Sequence, residues 1–345
     1  MGTAALILGK DNVRMIDSSG RKLDYLRISV TDRCNLNCVY CMPEKERENR
    51  AGDYMTDQEI FLAAEAMAEL GVRHIRITGG EPLVRRDCWK LVGGLKALPG
   101  IETVTMTTNG VLLAKHLKKL KESGIDGLNI SLDTRDRACY QKITGQDEAE
   151  TVEQAIRLAC AMNIPVKINA VSYDFAQDRM GGNRKETEPW WLSAASLAQE
   201  LPVDVRFIEM MPLGYGKKFP TVSHQQLLKE LEQFFPGMKP DRRCHGQGPA
   251  VYYQVPGFKG SLGLISAIHE KFCSRCNRMR LTAQGFLKPC LAYPDGVDLR
   301  PLLKREKKEE LKEAVRKAAS IKPSAHCFEN PQEMREQRNM IEIGG

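Results

Sequence analysis

The chain has no apolar run near the ~18 residues needed to cross a bilayer, so no membrane span is expected of it. Its first fifteen residues, MGTAALILGKDNVRM, carry neither a basic leading stretch nor an A-x-A cleavage pattern. Position 6 is Leu6, where a myristoylation signal needs Ser or Thr. A secretory leader and a lipid anchor are therefore not expected. G-x-x-x-x-G-K-[ST] is absent, and G-x-G-x-x-G has no convincing match. That removes the phosphate loop and the Rossmann fingerprint. No aromatic–basic RNA-binding motif is visible, so no nucleic-acid polymer is expected as a partner. The net charge of +7 must then serve a smaller anion or the surface. The run Lys304–Glu310 alternates signs and reads as a solvated helix face.

Disulfides are not expected either. Eleven cysteines would point to a bridged scaffold in a short secreted chain, but 345 residues without a leader are not one. Six of the eleven form two triplets, Cys34-x3-Cys38-x2-Cys41 and Cys273-x2-Cys276-x13-Cys290. Neither triplet has an obvious fourth ligand. A structural zinc site is closed by four ligands, and a simple ferredoxin cluster takes four cysteines. Three thiolates instead leave one iron of a 4Fe–4S cubane open to a ligand from outside the chain. The first triplet, with Tyr40 before its last cysteine, resembles the radical S-adenosylmethionine (SAM) superfamily. There the open iron is chelated by the amino and carboxylate groups of SAM. An open iron at the second triplet could bind a substrate atom directly. His245 and His269 lie near enough in sequence to complete a zinc site there instead. Cys88, Cys139, Cys160, Cys244 and Cys327 stand alone and read as packing residues. A reducing, cytoplasmic location suits such thiolates.

Six strand-like runs occupy the first two-thirds: 25–30, 74–78, 103–107, 127–132, 166–171 and 204–211. Between them Thr56-x-x-Glu59 is a capping box opening a helix over 57–70. Residues 112–123 are amphipathic and meet Gly124, a suitable residue just past a helix end. Further helices are expected over 151–163 and 190–200. Six strand–helix units imply parallel strands with crossover helices, in an α/β partial (β/α)6 barrel of the TIM type. The expected division is a barrel over 1–240 and a C-terminal second-cluster domain over 241–345. In such barrels reactive residues gather where the strands end, which is where Cys34, Gly79-Gly80-Glu81-Pro82, Thr108-Asn109-Gly110, Asp133 and Met211 fall.

Four strands carry a cation between apolar neighbours: Arg27, Arg76, Lys167 and Arg206. A cation within a parallel strand is costly unless it meets an anion. Arg278 and Arg280, two apart, share a face if they lie on a strand. Guanidinium forks suit phosphate oxygens, so a nucleoside triphosphate would satisfy the set. Single structural salt bridges are the plainer reading of any one of them.

Leu26-Arg27-Ile28-Ser29-Val30-Thr31-Asp32-Arg33-Cys34-Asn35, Arg76-Ile77-Thr78-Gly79-Gly80-Glu81-Pro82-Leu83, Thr107-Thr108-Asn109-Gly110, Asn129-Ile130-Ser131-Leu132-Asp133 and Arg206-Phe207-Ile208-Glu209 together resemble the GTP 3′,8-cyclase family of molybdenum cofactor biosynthesis. Phe272-Cys273-x2-Cys276-Asn277-Arg278-x-Arg280-Leu281 and the terminal Gly344-Gly345 match its later motifs. The resemblance implies that Cys34, Cys38 and Cys41 hold the SAM-binding cluster, with Tyr40, Gly80, Ser131 and Met211 on SAM. It implies that Cys273, Cys276 and Cys290 hold a second 4Fe–4S cluster whose open iron takes guanine. Arg27, Arg76, Thr107, Lys167, Arg278 and Arg280 would contact GTP, with Arg206 a further basic candidate. The implied reaction reduces the first cluster, splits SAM and removes the C3′ hydrogen of GTP with the 5′-deoxyadenosyl radical. C3′ then joins C8, giving (8S)-3′,8-cyclo-7,8-dihydroguanosine 5′-triphosphate. The glycine tail would reach the active site, pinned by a short strand in the alternating Met340–Ile343. A small electron-transfer protein as reductant, a homodimer and a downstream cyclic pyranopterin monophosphate synthase complete the implied partners.

Two places depart from that pattern: the 174–191 segment, and His74 where relatives often carry Lys. The rival readings are a radical SAM peptide-modifying enzyme, although its usual seven-cysteine auxiliary pattern is absent, and a zinc-bearing interaction module.

Overall fold

The computed structural model describes residues 14–41, 53–173, 188–220 and 222–344. Gly345 and most of the divergent 174–191 segment lie outside them. The six expected units are present: β1 (Tyr25–Ser29), α1 (Asp57–Glu69), β2 (His74–Thr78), α2 (Cys88–Lys96), β3 (Thr103–Thr108), α3 (Leu113–Glu122), β4 (Gly127–Ser131), α4 (Arg137–Thr144), α5 (Ala149–Ala161), β5 (Val166–Ser172), α6 (Leu192–Glu200) and β6 (Asp204–Glu209). Helix α1 starts where its capping box closes, with Glu59 N–H on Thr56 Oγ1 at 3.2 Å and Thr56 N–H on Glu59 Oε2 at 2.8 Å. Helix α4 was not expected. It is short, and Asp136 caps it by accepting from Cys139 N–H at 2.7 Å.

The later chain adds α7 (His224–Phe234), β7 (Lys239–Pro240), β8 (Val251–Gln254), β9 (Ser261–Ile265), β10 (Arg278–Leu281), β11 (Phe286–Lys288), β12 (Val297–Asp298), α8 (Arg300–Leu303) and α9 (Lys308–Ser320). All twelve strands form one sheet in the order β12-β11-β10-β1-β2-β3-β4-β5-β6-β9-β8-β7. Strands β1 to β6 are parallel and consecutive. β10 joins parallel outside β1, and β9 parallel outside β6. Eight parallel strands thus line the molecule, two of them contributed by residues past 250. The sheet's edges are β12 and β7, so the barrel stays open.

Alternation along the strands separates two environments. Leu26, Ile28, Ile75, Ile77, Val104 and Met106 are buried in the main core with Ile60, Ala63 and Met67 of α1. Arg27, Arg76, Thr105 and Thr107 point the other way, into the lumen. Two local expectations change. Met340–Glu342 is a 3-10 turn rather than a strand, because Asn339 and Glu342 close a capping box around it. The Lys304–Glu310 run is mostly the entry to α9, and Lys308 pairs with Glu65 and Glu69 of α1 instead of standing in solvent.

Candidate active site

The first triplet sits in the loop that leaves β1, and the turn after β2 holds that loop in place. Gly80 N–H donates to Thr31 O and Glu81 N–H to Arg33 O, both at 2.8 Å. A Cβ on Gly79 would stand 2.4 Å from Thr31 O, and one on Gly80 2.4 Å from Arg33 O. Only glycine lets the two backbones approach this closely. Glu81, fully buried, then ties the turn to the end of β3. It accepts from Thr108 Oγ1 at 2.8 Å, Asn109 N–H at 2.6 Å and Leu83 N–H at 3.0 Å. Burial pushes its carboxyl up to about 7 against the pull of those bonds. Asn109 Nδ2 faces Cys34 Sγ at 3.7 Å. Burial and then the neighbouring Cys41 and Cys34 push the Cys38 thiol well up, so the three thiols crowd one another. Tyr40 donates to Asp133 Oδ2 at 2.7 Å, and Asp133 Oδ1 accepts from Val171 N–H at 2.8 Å. Burial raises Asp133 to about 6. Ser131 ends β4 opposite Asn169 of β5. Met211 lies just past β6 and packs against the small core that holds Leu213, Ile268 and Ile343.

Below this rim the lumen is lined with cations. Arg280, Arg27 and Arg76 are direct register partners across β10, β1 and β2. Arg278 stands one side-chain level lower, opposite Tyr25. The Tyr25 ring carries Arg76 at 5.5 Å and Arg278 at 6.0 Å. Burial depresses the Arg27 guanidinium well below its usual range, and Arg280 and Arg76 push it further. Arg280 falls to about 10 for the same two kinds of reason, burial and then Arg278. Across the lumen Arg206, buried, donates to Asn169 Oδ1 at 2.6 Å and to Asn129 Oδ1. Lys167 is lowered to about 8 by burial and then by Arg206, with Asp204 3.4 Å away opposing this. The cations do not stand in one ring: Lys167 pairs with Asn129, while Arg206, one side-chain level higher, pairs with Asn169. Arg206 Nε and Thr107 Oγ1 are buried without a hydrogen-bond partner. Like charges packed this closely, with orphaned polar atoms among them, fit a bound polyanion.

The second triplet lies at the opposite end of the lumen. Cys276 is two residues before β10 and Cys290 two after β11. The strand rise of about 3.3 Å per residue separates the Tyr25 and Ser29 levels by about 13 Å. Cys34 lies beyond the upper level and Cys276 beyond the lower. Burial raises the Cys273 thiol, and Cys276 and Cys290 add to the rise. Cys276 is lowered on balance: burial raises it, but Lys322 and Arg278 outweigh that. Among the described residues no three His, Cys, Asp or Glu side chains converge tightly enough for one metal ion. A cubane asks for something else, one thiolate on each of three irons, and each set offers three free thiols near enough to shift one another's ionisation. The two histidines considered for zinc are engaged elsewhere. His245 faces Asp204 and Asp241, each at 2.9 Å, and His269 faces Glu209 at 2.8 Å. His74 meets Thr103 Oγ1 at 3.0 Å beside the Tyr25 ring.

The tail enters from the top. Arg280 Nη1 donates to Gly344 O at 2.7 Å. Gly344 has φ +75°, and a Cβ there would lie 3.1 Å from Thr78 Oγ1 and 3.2 Å from Ser29 Cβ.

Residues 28–180 match the family described as Radical SAM superfamily, and residues 203–328 the one described as Molybdenum Cofactor Synthesis C. A GTP 3′,8-cyclase of Clostridium perfringens is 39% identical over 334 residues, 96% of this chain and 100% of that one. The chain belongs to the GTP 3′,8-cyclase family. A second member, from Petrotoga mobilis, is 40% identical over 335 residues, with the same two shares of 96% and 100%. The crystal structure of Streptococcus suis SuiB bound to S-adenosylmethionine aligns with a TM-score of 0.61, over 93% of this chain and 78% of that one. At 14% identity that likeness speaks for the fold alone. Members of this GTP 3′,8-cyclase family are radical SAM enzymes that use SAM and iron–sulfur clusters, and both cysteine triplets suit that use.

Sequence reasoning missed what holds the site together. Arg21, Lys322 and His326 contact the second-triplet loops, and Tyr25 separates two guanidiniums. Lys322 is a lone basic residue and Arg21 is followed by Lys22, in a basic chain where neither arrangement marks a site.

Proposed function

We infer that this chain is a radical SAM GTP 3′,8-cyclase, a cyclising lyase that forms (8S)-3′,8-cyclo-7,8-dihydroguanosine 5′-triphosphate in molybdenum cofactor biosynthesis. The observation that carries the reading is the cation-lined lumen standing between two three-thiol sites. Cys34, Cys38 and Cys41 would hold the SAM-binding 4Fe–4S cluster, and Cys273, Cys276 and Cys290 the substrate-binding one. When bound, the first cluster and SAM supply the one-electron chemistry that removes a ribose hydrogen. The chain's own part is orientation and exclusion of water. Tyr40, Gly80, Ser131 and Met211 would seat SAM at the upper rim. Arg27, Arg76, Thr107, Lys167, Arg206, Arg278 and Arg280 would seat GTP between the ends. Residues 1–240 would serve as the barrel and 241–345 as the second-cluster part, although both share one sheet.

A small electron-transfer protein would deliver the electrons, and a cyclic pyranopterin monophosphate synthase would take the product. A homodimer in the cytoplasm completes the proposal. Among the described residues no helix is long and apolar enough to cross a membrane.

Anaerobic incubation with GTP, SAM and dithionite is expected to yield 5′-deoxyadenosine and a GTP-derived cyclic nucleotide, read by mass. Deoxyadenosine without any altered nucleotide would favour the peptide-modifying alternative.

Lys167 makes GTP binding pH-dependent. With its ammonium lowered to about 8 by burial and Arg206, the free enzyme loses that proton above pH 8. A triphosphate favours the protonated form, so binding there takes up a proton. Affinity is expected to hold steady just below pH 8 and to fall above it, with proton uptake visible by calorimetry in buffers of different ionisation enthalpy. Lys167→Met is expected to flatten that fall. It should also weaken binding by ~1.5–3 kcal/mol, roughly 10- to 150-fold. An unchanged dissociation constant would make Lys167 a structural partner of Asp204.

A further inference from the structure

The segment Lys322–His326 leaves α9 and runs along the second triplet. Lys322 is 4% exposed. Its ammonium donates to Arg278 O at 2.8 Å and Pro289 O at 2.5 Å, carbonyls that flank Cys276 and Cys290. At the segment's other end, His326 N–H donates to Cys273 Sγ at 3.5 Å. Arg21 fastens the middle, reaching Pro323 O at 2.7 Å, Ser324 O at 3.0 Å and Cys273 O at 2.9 Å. The two ends of this five-residue segment, Lys322 and His326, thus touch the loops of all three cysteines.

Lys322 has an electrostatic problem that these bonds leave open. Both acceptors are neutral, and among the described residues no carboxylate pairs with it. The buried Lys288 close by shows the ordinary solution, an ion pair with Glu336. A buried ammonium without an anion is unfavourable. Three cluster thiolates would supply the missing negative charge on the spot.

We propose that Lys322 is the counter-charge and positioning residue of the second cluster. The proposal rests on the cluster reading above. A buried cation favours whichever cluster state is more negative, which is the reduced one, and so raises the reduction potential.

The test isolates the second cluster by placing Cys34→Ala, Cys38→Ala and Cys41→Ala in the background. The protein is reconstituted anaerobically and titrated potentiometrically by electron paramagnetic resonance. Lys322→Met keeps the stem and removes the charge with its donors. The expected result is a midpoint shifted to more negative potential with about four irons retained. Should Lys322→Met fail to hold iron, Lys322→Arg is expected to hold it, and that rescue supports the same role. An unshifted midpoint in Lys322→Met overturns the proposal, as does equal loss of iron in both variants. A background protein that takes up no iron overturns the cluster reading itself instead.

Discussion

Replacing Cys34, Cys38 and Cys41 together with alanine is expected to abolish reductive SAM cleavage and to leave the second cluster in place. This is the largest single effect expected, because the triplet is the only thiol set at the upper rim among the described residues. Independence of the two sites follows from how each is held. The first loop is fastened by backbone bonds to Gly80 and Glu81 and approached by Asn109. The second is fastened by Arg21 and Lys322. Among the described residues none of these fastening groups serves both loops, and the lumen's cation rows separate them. The wild-type chain should approach eight irons after anaerobic reconstitution, from about four per cubane. The triple variant should keep about half, with deoxyadenosine formation at background. Retained SAM cleavage would sink the assignment of the first triplet, and loss of all iron would sink the independence of the second.

The barrel's first six strands are legible because their apolar alternation and glycine ends are local signals. So are the cysteine spacings. What lies beyond legibility is contributed by distant chain. The pairing of β10 with β1 joins residues some 250 positions apart, and no periodicity encodes that. It is this pairing that brings Arg280 beside Arg27, and β9 that brings Gly263 beside Arg206. Six strands were therefore expected where eight line the lumen. The 3-10 turn at Met340–Glu342 was hidden for a related reason. Alternation of four residues fits a strand, but the Asn339–Glu342 cap is local chemistry that overrides it. Lys322 illustrates the remaining gap: a lone lysine says nothing until its burial and its neutral acceptors are known.

Removing Gly344 and Gly345 is expected to spare folding, both clusters and SAM cleavage, while cyclised product collapses. The tail is anchored before it reaches the glycines. Ile343 is fully buried in the small core with Leu213, Ile268 and Ala292, so a two-residue deletion leaves that anchor intact. What the deletion removes includes the Gly344 carbonyl held by Arg280 in the lumen. Arg280 loses the Gly344 carbonyl at 2.7 Å, and a guanidinium already depressed to about 10 by burial and Arg278 loses an acceptor. Its fork is then free to turn from the orientation that GTP would need. Gly344→Ala separates shape from length. Its φ of +75° suits glycine, and the added Cβ would press on Thr78 Oγ1 and Ser29 Cβ at 3.1 and 3.2 Å. A partial loss is therefore expected, smaller than that of the truncation. Both variants are read by product mass beside deoxyadenosine release, which reports the first cluster alone. Full cyclisation in the truncated chain would show that the tail is only a chain end, and a parallel loss of deoxyadenosine would place its role at the upper rim instead.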